Sequence, residues 1–506
     1  FDVTMLNISP FIVFIITFVF VWNWYRRPPR YPPGPLGFPV LGVLPFLSNR
    51  PENKFLDWSK RYGPIISVSI GWQKWLVLNE YDVTMEALVR NRLAFHGRPL
   101  VEFFIRTTVP LGIAFAPGGV HWKTLRKFGT NGIKAFGSYN GIACIDGYIF
   151  LRVAYNLGVM VPLALSRGAL LSLGVNEPLT HAVANVVSSF CLGQRFDRSN
   201  DSFNQLIRSL MHHKQRPFKE FLCDVWPFTK HMDESITNHG IKTLINDVIG
   251  IIRHFVEEQS ASFDGDEVRN MVDAFLMHSR NSVDENVITD DVIELTLFNP
   301  HQNIIGFFSD MFLAGTETIT SQLRWGFLIM MKHQDCQNKV RREIDDVIGR
   351  HGTVKLKHRS IMPYTCAVVH ELFRFRTVVP LSLPRMIVAD VTVGGYRIPK
   401  GTNVIMNIWA LHNDDCRWRE PERFIPERHL NADGKFMKPK NVLPFGVGAR
   451  SCIAEHLARN KIFLFLVSTL KNFTLSVPNG DSPSLDAGSN GTIFIPSDYN
   501  IVAQYR

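Results

Sequence analysis

The segment Phe445-Gly446-Val447-Gly448-Ala449-Arg450-Ser451-Cys452 restricts this chain more than any other. Two glycines two residues apart predict backbone that is left-handed or that passes too close to a neighbour for a Cβ, and Ile453 to Phe473 then reads as a helix. One thiol is thereby presented on a bent loop at a helix start. The helix dipole and the loop N–H groups there favour thiolate over thiol, and Arg450 adds a cation two residues away. A buried structural cysteine beside a turn is the plainer reading. Against it, Phe, Gly, Arg and Cys at these four offsets would arise by chance in on the order of a few chains per thousand of this length.

At these residues the sequence resembles the cytochrome P450 family. The family signature Phe-x-x-Gly-x-Arg-x-Cys-x-Gly is met at every place but the last, where Ala454 stands. The resemblance implies a mainly α fold with small β-sheets and a haem b (iron protoporphyrin IX) whose axial ligand is the Cys452 thiolate. Such a sulfur pushes electron density onto iron and favours O–O cleavage. Phe445 and Arg450 would be cofactor contacts. Ala454 is expected to narrow the space beneath the porphyrin by one methyl group.

The chain has 506 residues, 46% of them hydrophobic, enough for one large domain or two to three ordinary ones. Its seven cysteines are odd in number and contain no Cys-x-x-Cys pair, so neither a disulfide framework nor a zinc site is indicated, and a reducing compartment fits. Phe11 to Trp24 is almost continuously apolar and, with Met5, Leu6 and Ile8, reaches about twenty residues, the length that crosses a bilayer. Arg26, Arg27 and Arg30 follow at once, while Asp2 alone precedes, which orients the remaining chain to the cytosol. A cleaved secretory leader has the reverse order of charge and apolar run. Residues 1–25 are therefore expected to be a membrane anchor. Residues 26–36, rich in proline and arginine, are expected to be a stiff hinge, and residues 37–506 the catalytic domain. Phe1 in place of methionine suggests an incomplete or trimmed start. Microsomal members of the family show the same order of anchor, basic stop and hinge, which implies the endoplasmic reticulum membrane with the catalytic domain in the cytosol.

The formal net charge of +10 fits nucleic acid, anionic lipid or an acidic protein partner, but no nucleic-acid motif is present. Lys123, Arg126, Lys127, Lys438, Lys440, Arg459 and Lys461 lie before or around the cysteine loop. By resemblance, they would form a face that docks an acidic NADPH-dependent reductase, and the same resemblance allows a b-type cytochrome beside it.

Ile65 to Ile70 and Trp75 to Leu78 alternate around Gly71 and read as a β-hairpin. Glu285 to Phe298, Pro300 to His333, Gln337 to Gly349 and Tyr364 to Arg376 read as helices, and Val391 to Ile398 as one short strand-like run. Ser138 to Leu165 fits badly, with only Asp146 and Arg152 charged; a gene-model error such as retained intron and a second membrane-contacting element are the two explanations.

Ala314-Gly315-Thr316-Glu317-Thr318 lies mid-way along the longest helical stretch, although glycine and paired threonines are poor helix formers. A small residue lets a helix approach a flat ring. An acid followed by a hydroxyl can bend the helix and pass protons. The family's distal motif is similar, with Glu317 and Thr318 in catalytic positions, Ala314 and Gly315 against the cofactor, and Ile319 where a second hydroxyl is usual. Trp122-Lys123-Thr124-Leu125-Arg126 brings an indole N–H and a guanidinium to one helix face, where both can meet one carboxylate. The family uses that pattern for haem propionates, and Arg385 and Arg98 occupy places of further donors. Glu371 and Arg374 stand three apart on one face. In the family this pair joins a third arginine in a buried structural network; Arg428 matches the spacing to the cysteine and Arg423 the neighbouring letters, and Arg428 is chosen.

The resemblance as a whole implies a monooxygenase that inserts one atom of O2 into a lipophilic substrate (a steroid, fatty acid or xenobiotic). The substrate is expected to touch Arg98 to Phe115, Phe203 to His239, Phe312 to Thr318, Thr377 to Leu383 and Gly491 to Phe494. The alternative is a haem-binding sensor or inactive paralogue, which Ala454, Ile319 and the segment 138–165 would suit.

Overall fold

A computed structural model describes residues 17–19, 25–99, 112–144, 172–212, 239–265, 267–284, 300–486, 488–490 and 492–506. Eleven helices are labelled in chain order: α1 (Pro51–Tyr62), α2 (Val120–Cys144), α3 (Asn176–Cys191), α4 (Asp201–His212), α5 (His239–Ala261), α6 (Met271–Asp284), α7 (Pro300–Lys332), α8 (Gln334–Val347), α9 (Pro363–Phe375), α10 (Ile408–Asn413) and α11 (Glu455–Asn472). α7 is the axis of the molecule. Its side chains from Ile304 to Met331 feed two apolar cores: one with α3, α8, α9 and α11, the other with α2 to α6. A helix apolar on nearly every side has to be enclosed in this way.

β1 (Ile65–Ile70) and β2 (Gln73–Leu78) form the expected hairpin, with Gly71 at φ +57° in its turn. β3 (Ser172–Gly174) lies far along the chain, followed by β4 (Arg385–Met386), β5 (Val391–Val393), β6 (Tyr396–Ile398) and β7 (Asn403–Met406). β7 adds to β2 in parallel and β4 to β7 antiparallel, giving the order β1-β2-β7-β4. Two small sheets complete the set from β8 (Phe473–Ser476), β9 (Gly488–Asn490), β10 (Phe494–Pro496) and β11 (Asn500–Tyr505), as β3-β11-β8 and β10-β9.

Three expectations change. Val391 to Ile398 is a two-stranded hairpin rather than one run, because Gly394 and Gly395 at φ +55° and +79° turn the chain back. The proline segment is no free spacer from Tyr31 onward. Ser67 donates its backbone N–H to Pro33 O at 2.8 Å and its hydroxyl to Pro32 O at 2.7 Å, and a Cβ on Gly34 would lie 1.9 Å from Ser67 O, so residues 31–34 are seated on β1. Arg459 and Lys461 leave the basic face: both are buried in α11, which has no polar side on which to carry them. Lys123, Lys127, Lys438 and Lys440 are exposed.

Among the described residues no helix is long and apolar enough to cross a membrane. Of the expected anchor, residues 17–19 and 25 are helical, with Phe18 and Val19 about half exposed, and the rest lies outside the described residues. Ser138 to Cys144 continue α2; residues 145–165 and the expected helix 285–298 also lie outside them.

Candidate functional site

The cysteine loop hangs from Leu443. Gly446 N donates to Leu443 O at 3.0 Å, Ser451 N to Gly448 O at 3.1 Å and Cys452 N to Phe445 O at 2.9 Å. Gly446 and Gly448 have φ of +65° and +75°, and a Cβ on Gly448 would fall 1.8 Å from Leu88 O, so no other residue fits there. Ala454 has φ −100° and ψ 16°, ordinary backbone for alanine, and packs with Ile453 against the core that holds Phe307 and Phe312. The departure from glycine at that place carries no backbone strain.

The Cys452 thiol retains accessible surface even though protein crowds it on most sides. Burial pushes it up to about 11; the Ala454 N–H and Arg126 act the other way, and Glu455 adds to the rise. The protein alone therefore holds a thiol. A bound metal ion would deprotonate it outright. The expected cation at the sulfur also differs: Arg126 is the one that acts on Cys452, and it donates to Ser451 O at 2.7 Å. Arg450 turns away, with Nε to His96 O at 2.8 Å, Nη1 to Ile113 O at 3.1 Å and Nη2 to Ala116 O at 2.7 Å. Its guanidinium lies 3.9 Å from the Trp122 ring centre. Three of its five N–H groups are thus held by carbonyls, leaving two for a ligand.

Arg98, Arg126, Arg385 and Arg450 are all lowered from the ordinary guanidinium range. Burial first and then neighbouring guanidinium charge lower Arg385 to about 10 and Arg450 to about 9, and push Arg98 well down, whereas for Arg126 burial is the cause. Arg98 is fixed by carbonyls, Nε to Ala114 O at 2.8 Å and Nη1 to Leu383 O at 3.1 Å and to Pro384 O. Arg385 donates Nη2 to Val447 O at 2.8 Å, while its Nε and Nη1, and Nε1 of Trp122, are buried without a partner. Unpaired buried donors in a group of cations are an anion site awaiting its charge. Two carboxylates would answer it, and a porphyrin with two propionates is a dicarboxylate. The residues present therefore fit haem.

On α7, Ala314 is exposed in the middle of the helix, and Thr318 Oγ1 donates to Ala314 O at 2.6 Å. Gly315 does not face the same way: a Cβ there would come 3.3 Å from Val187 of α3, so this glycine serves the approach of two helices. Ile319 is 4% exposed within the core, so the missing hydroxyl is replaced by packing. Asp310, one turn before Ala314, was not singled out in the sequence. It accepts from Ala114 N at 2.8 Å and from the Ile113 N–H, burial raises it to about 7, and a Cβ on Gly112 would strike its carboxylate. It ties residues 112–114 to the distal helix. The signal was a single acid in an apolar run, Phe307-Phe308-Ser309-Asp310-Met311-Phe312.

Glu371 is fully buried and meets three side chains and the backbone N–H of Ile425, which donates at 3.0 Å. Arg374 donates Nε at 2.9 Å and Nη2 at 2.8 Å, Arg428 donates Nε at 3.1 Å, and His429 Nε2 lies at 2.9 Å. Burial alone would raise this carboxyl, but the His429 and Arg374 hydrogen bonds and the Arg374 charge hold it to about 2. Arg374 also donates to the carbonyls of His412, Pro421 and Arg423. Arg423 sends its own side chain outward to Glu420. Phe445 packs edge-on to Phe373 of α9 at 5.3 Å, which brings the network against the cysteine loop.

The family model described as Cytochrome P450 matches residues 32–502. A curated relative named Steroid 17-alpha-hydroxylase/17,20 lyase, from Ictalurus punctatus, is 32% identical over 489 residues, covering 95% of this chain and 91% of its own. Cytochrome P450 2C8 of Homo sapiens is 31% identical, covering 97% and 99%. Cytochrome P450 2U1 of Rattus norvegicus is 29% identical, covering 96% and 93%. A loop built to present one thiol, a buried cluster of donors that needs a dicarboxylate, and a family match over nearly the whole length lead to one conclusion: the chain belongs to the cytochrome P450 family, haem-thiolate monooxygenases with a cysteine axial ligand.

Proposed function

We propose that this protein inserts one oxygen atom of O2 into a lipophilic substrate with electrons delivered from NADPH by a reductase, and that Cys452 is its iron ligand. The arginine cluster carries the assignment of the site. Trp122 and Arg385 offer buried unpaired donors, with Arg126 and Arg450 beside them, to the two carboxylates of haem b. Cys452 rather than Cys416 is the ligand, since Cys416 lies on the surface after α10 while Cys452 ends the glycine-bent loop next to the buried guanidiniums. Thiolate-bound haem supplies the activation of O2 by two electrons.

The chain's own residues do the rest. Ala314 leaves room over the ring, and Phe445 backs the loop against α9. The Thr318 hydroxyl is parked on the Ala314 carbonyl, from which a rotation about χ1 turns it toward a ligand, and Glu317 next to it is the acid of the proton relay. Asp310 holds residues 112–114 over the distal side and limits water there. The relative named for steroid hydroxylation and the apolar residues Phe312, Val378 and Phe494 support a steroid, fatty acid or xenobiotic substrate. Residues 1–25 anchor the protein in the endoplasmic reticulum membrane, 26–36 join it to the catalytic domain 37–506 in the cytosol, and the exposed lysines near the cysteine loop dock the reductase. The conformation of Ala454 and the burial of Ile319 remove two features that suited a haem holder without turnover.

Ferrous–CO difference spectroscopy on membranes containing the full chain tests the ligand. The red-shifted Soret band of thiolate ligation is expected in the native protein and in Cys416→Ser, and is expected to vanish in Cys452→Ser. A haem-bearing Cys452→Ser protein with the band unchanged sinks the assignment.

A further inference from the structure

Leu443, from which the cysteine loop springs, donates its backbone N–H to a side chain: His412 Nε2 at 2.9 Å. Pro444 follows and has no N–H to offer. An amide can only donate, so Nε2 is the acceptor and the ring proton sits on Nδ1. Nδ1 lies 2.7 Å from Thr377 Oγ1, which must accept that proton and give its own hydrogen to the last turn of α9, where Arg374 O lies 3.2 Å and Phe373 O 3.4 Å away. Arg374 in turn donates to His412 O at 2.8 Å. The direction of both bonds at the imidazole is thereby determined. Burial, then the charge of Arg374, lower His412 to about 3, so the ring stays neutral at any working pH. The imidazole is fully buried, at the end of α10 and between α9 and the loop.

We propose that His412 is a positioning residue: through one neutral tautomer it hitches the start of the Cys452 loop to the Glu371–Arg374 network and so holds the sulfur in place for iron. The proposal rests on Cys452 being the axial thiolate. On the loop side, Leu443 O accepts from Gly446 N, so both backbone polar groups of this one residue are engaged, the N–H by His412 and the C=O by the turn itself. Without the Nε2 acceptor the loop keeps its internal turn and loses its anchor to the core. The sulfur then moves with the loop.

The test is the rate at which the thiolate form of the ferrous–CO complex decays to the form that has lost thiolate ligation, measured on the full-length holoprotein with haem content determined in parallel. His412→Leu fills the space and removes the acceptor. His412→Gln places a carbonyl oxygen at the reach of Nε2. Decay about tenfold faster is expected for His412→Leu, the size of effect a lost buried hydrogen bond produces, with His412→Gln within about twofold of the native rate. Thr377→Val, which removes the partner of Nδ1, is expected to fall between them and serves should His412→Leu fail to accumulate. A native rate in His412→Leu, or equal acceleration in His412→Leu and His412→Gln, overturns the proposal, and so does a native rate in Thr377→Val. If the native protein itself shows no thiolate band, the assignment of Cys452 fails instead.

Discussion

Glu371 accepts from Arg374, Arg428 and His429 at 2.8 to 3.1 Å, whereas Arg98, Arg126, Arg385 and Arg450 have one another for neighbours. Of those four, Arg98 has a carboxylate, Asp310, among the charges that act on it; among the described residues the other three feel burial, each other and the Cys452 sulfur. Both clusters are buried, and the cost of burying an ion is several kcal/mol in either. The first is closed. Its anion, cations and carbonyls satisfy each other, with only Nδ1 of His429 buried without a partner, so its effect is on the fold and on the loop that leans against it. The second is open and unbalanced in sign, which is what a binding site for an anion has to be before the ligand arrives. Buried charge by itself thus says nothing about function, and the arithmetic of partners does.

The largest effect falls on the closed cluster. Glu371→Ala strands Arg374 without its anion and is expected to cost about 3–5 kcal/mol in denaturant unfolding, alike with and without haem. A smaller loss in the haem-loaded protein breaks the comparison. The same carboxyl sets an acid limb. Its folded pKa of about 2 lies below the ordinary 4.5, so the stability it contributes, on the order of 3 kcal/mol, is complete above pH 4.5 and is lost as pH falls toward 2. Urea midpoints across that range, with Glu371→Gln as the reference, measure it.

Lys461 is the third arrangement, a lone buried cation beside Phe190 with Cys191 as the group that offsets its lowering. Burial lowers it to about 7 from 10.5, so the charged form opposes folding below pH 7 and the penalty fades as pH rises to 10.5. Lys461→Met is expected to stabilise the protein by about 1–4 kcal/mol at pH 6 and by nothing near pH 10.5. No gain at pH 6 means that the fold finds this ammonium an unseen partner.

Legibility in the sequence followed the same division. The loop glycines, the hairpin around Gly71 and the long α7 could be read because turn chemistry and periodicity are local. Arg428 could be placed beside Glu371 only through spacing borrowed from a family pattern, because nothing local to Pro426-Glu427-Arg428 points at α9. His412 and Asp310 escaped notice. Each borders an apolar run, and its partners, Leu443 for the one and Ala114 for the other, come from elsewhere in the chain. Arg459 and Lys461 misled because basic residues are expected on surfaces, and only the packing of α11 shows that it has none. The parallel pairing of β2 with β7 was invisible for the same reason, since parallel strands meet through a long crossover.

The smallest effect belongs to the open cluster. Arg385→Met relieves repulsion among the guanidiniums, so the haem-free protein is expected to keep its stability or gain about 1 kcal/mol, while haem affinity falls about tenfold. Equal loss in both makes Arg385 a structural residue and erases the contrast with Glu371.

The account stands most directly on thermal unfolding of the haem-free full chain titrated with haem b and, in parallel, with its dimethyl ester, which has the same ring and iron but no carboxylate charge. The arginine cluster predicts a large rise in midpoint with the dicarboxylate and little or none with the ester. Equal stabilisation by the two would show that the four guanidiniums are not an anion site.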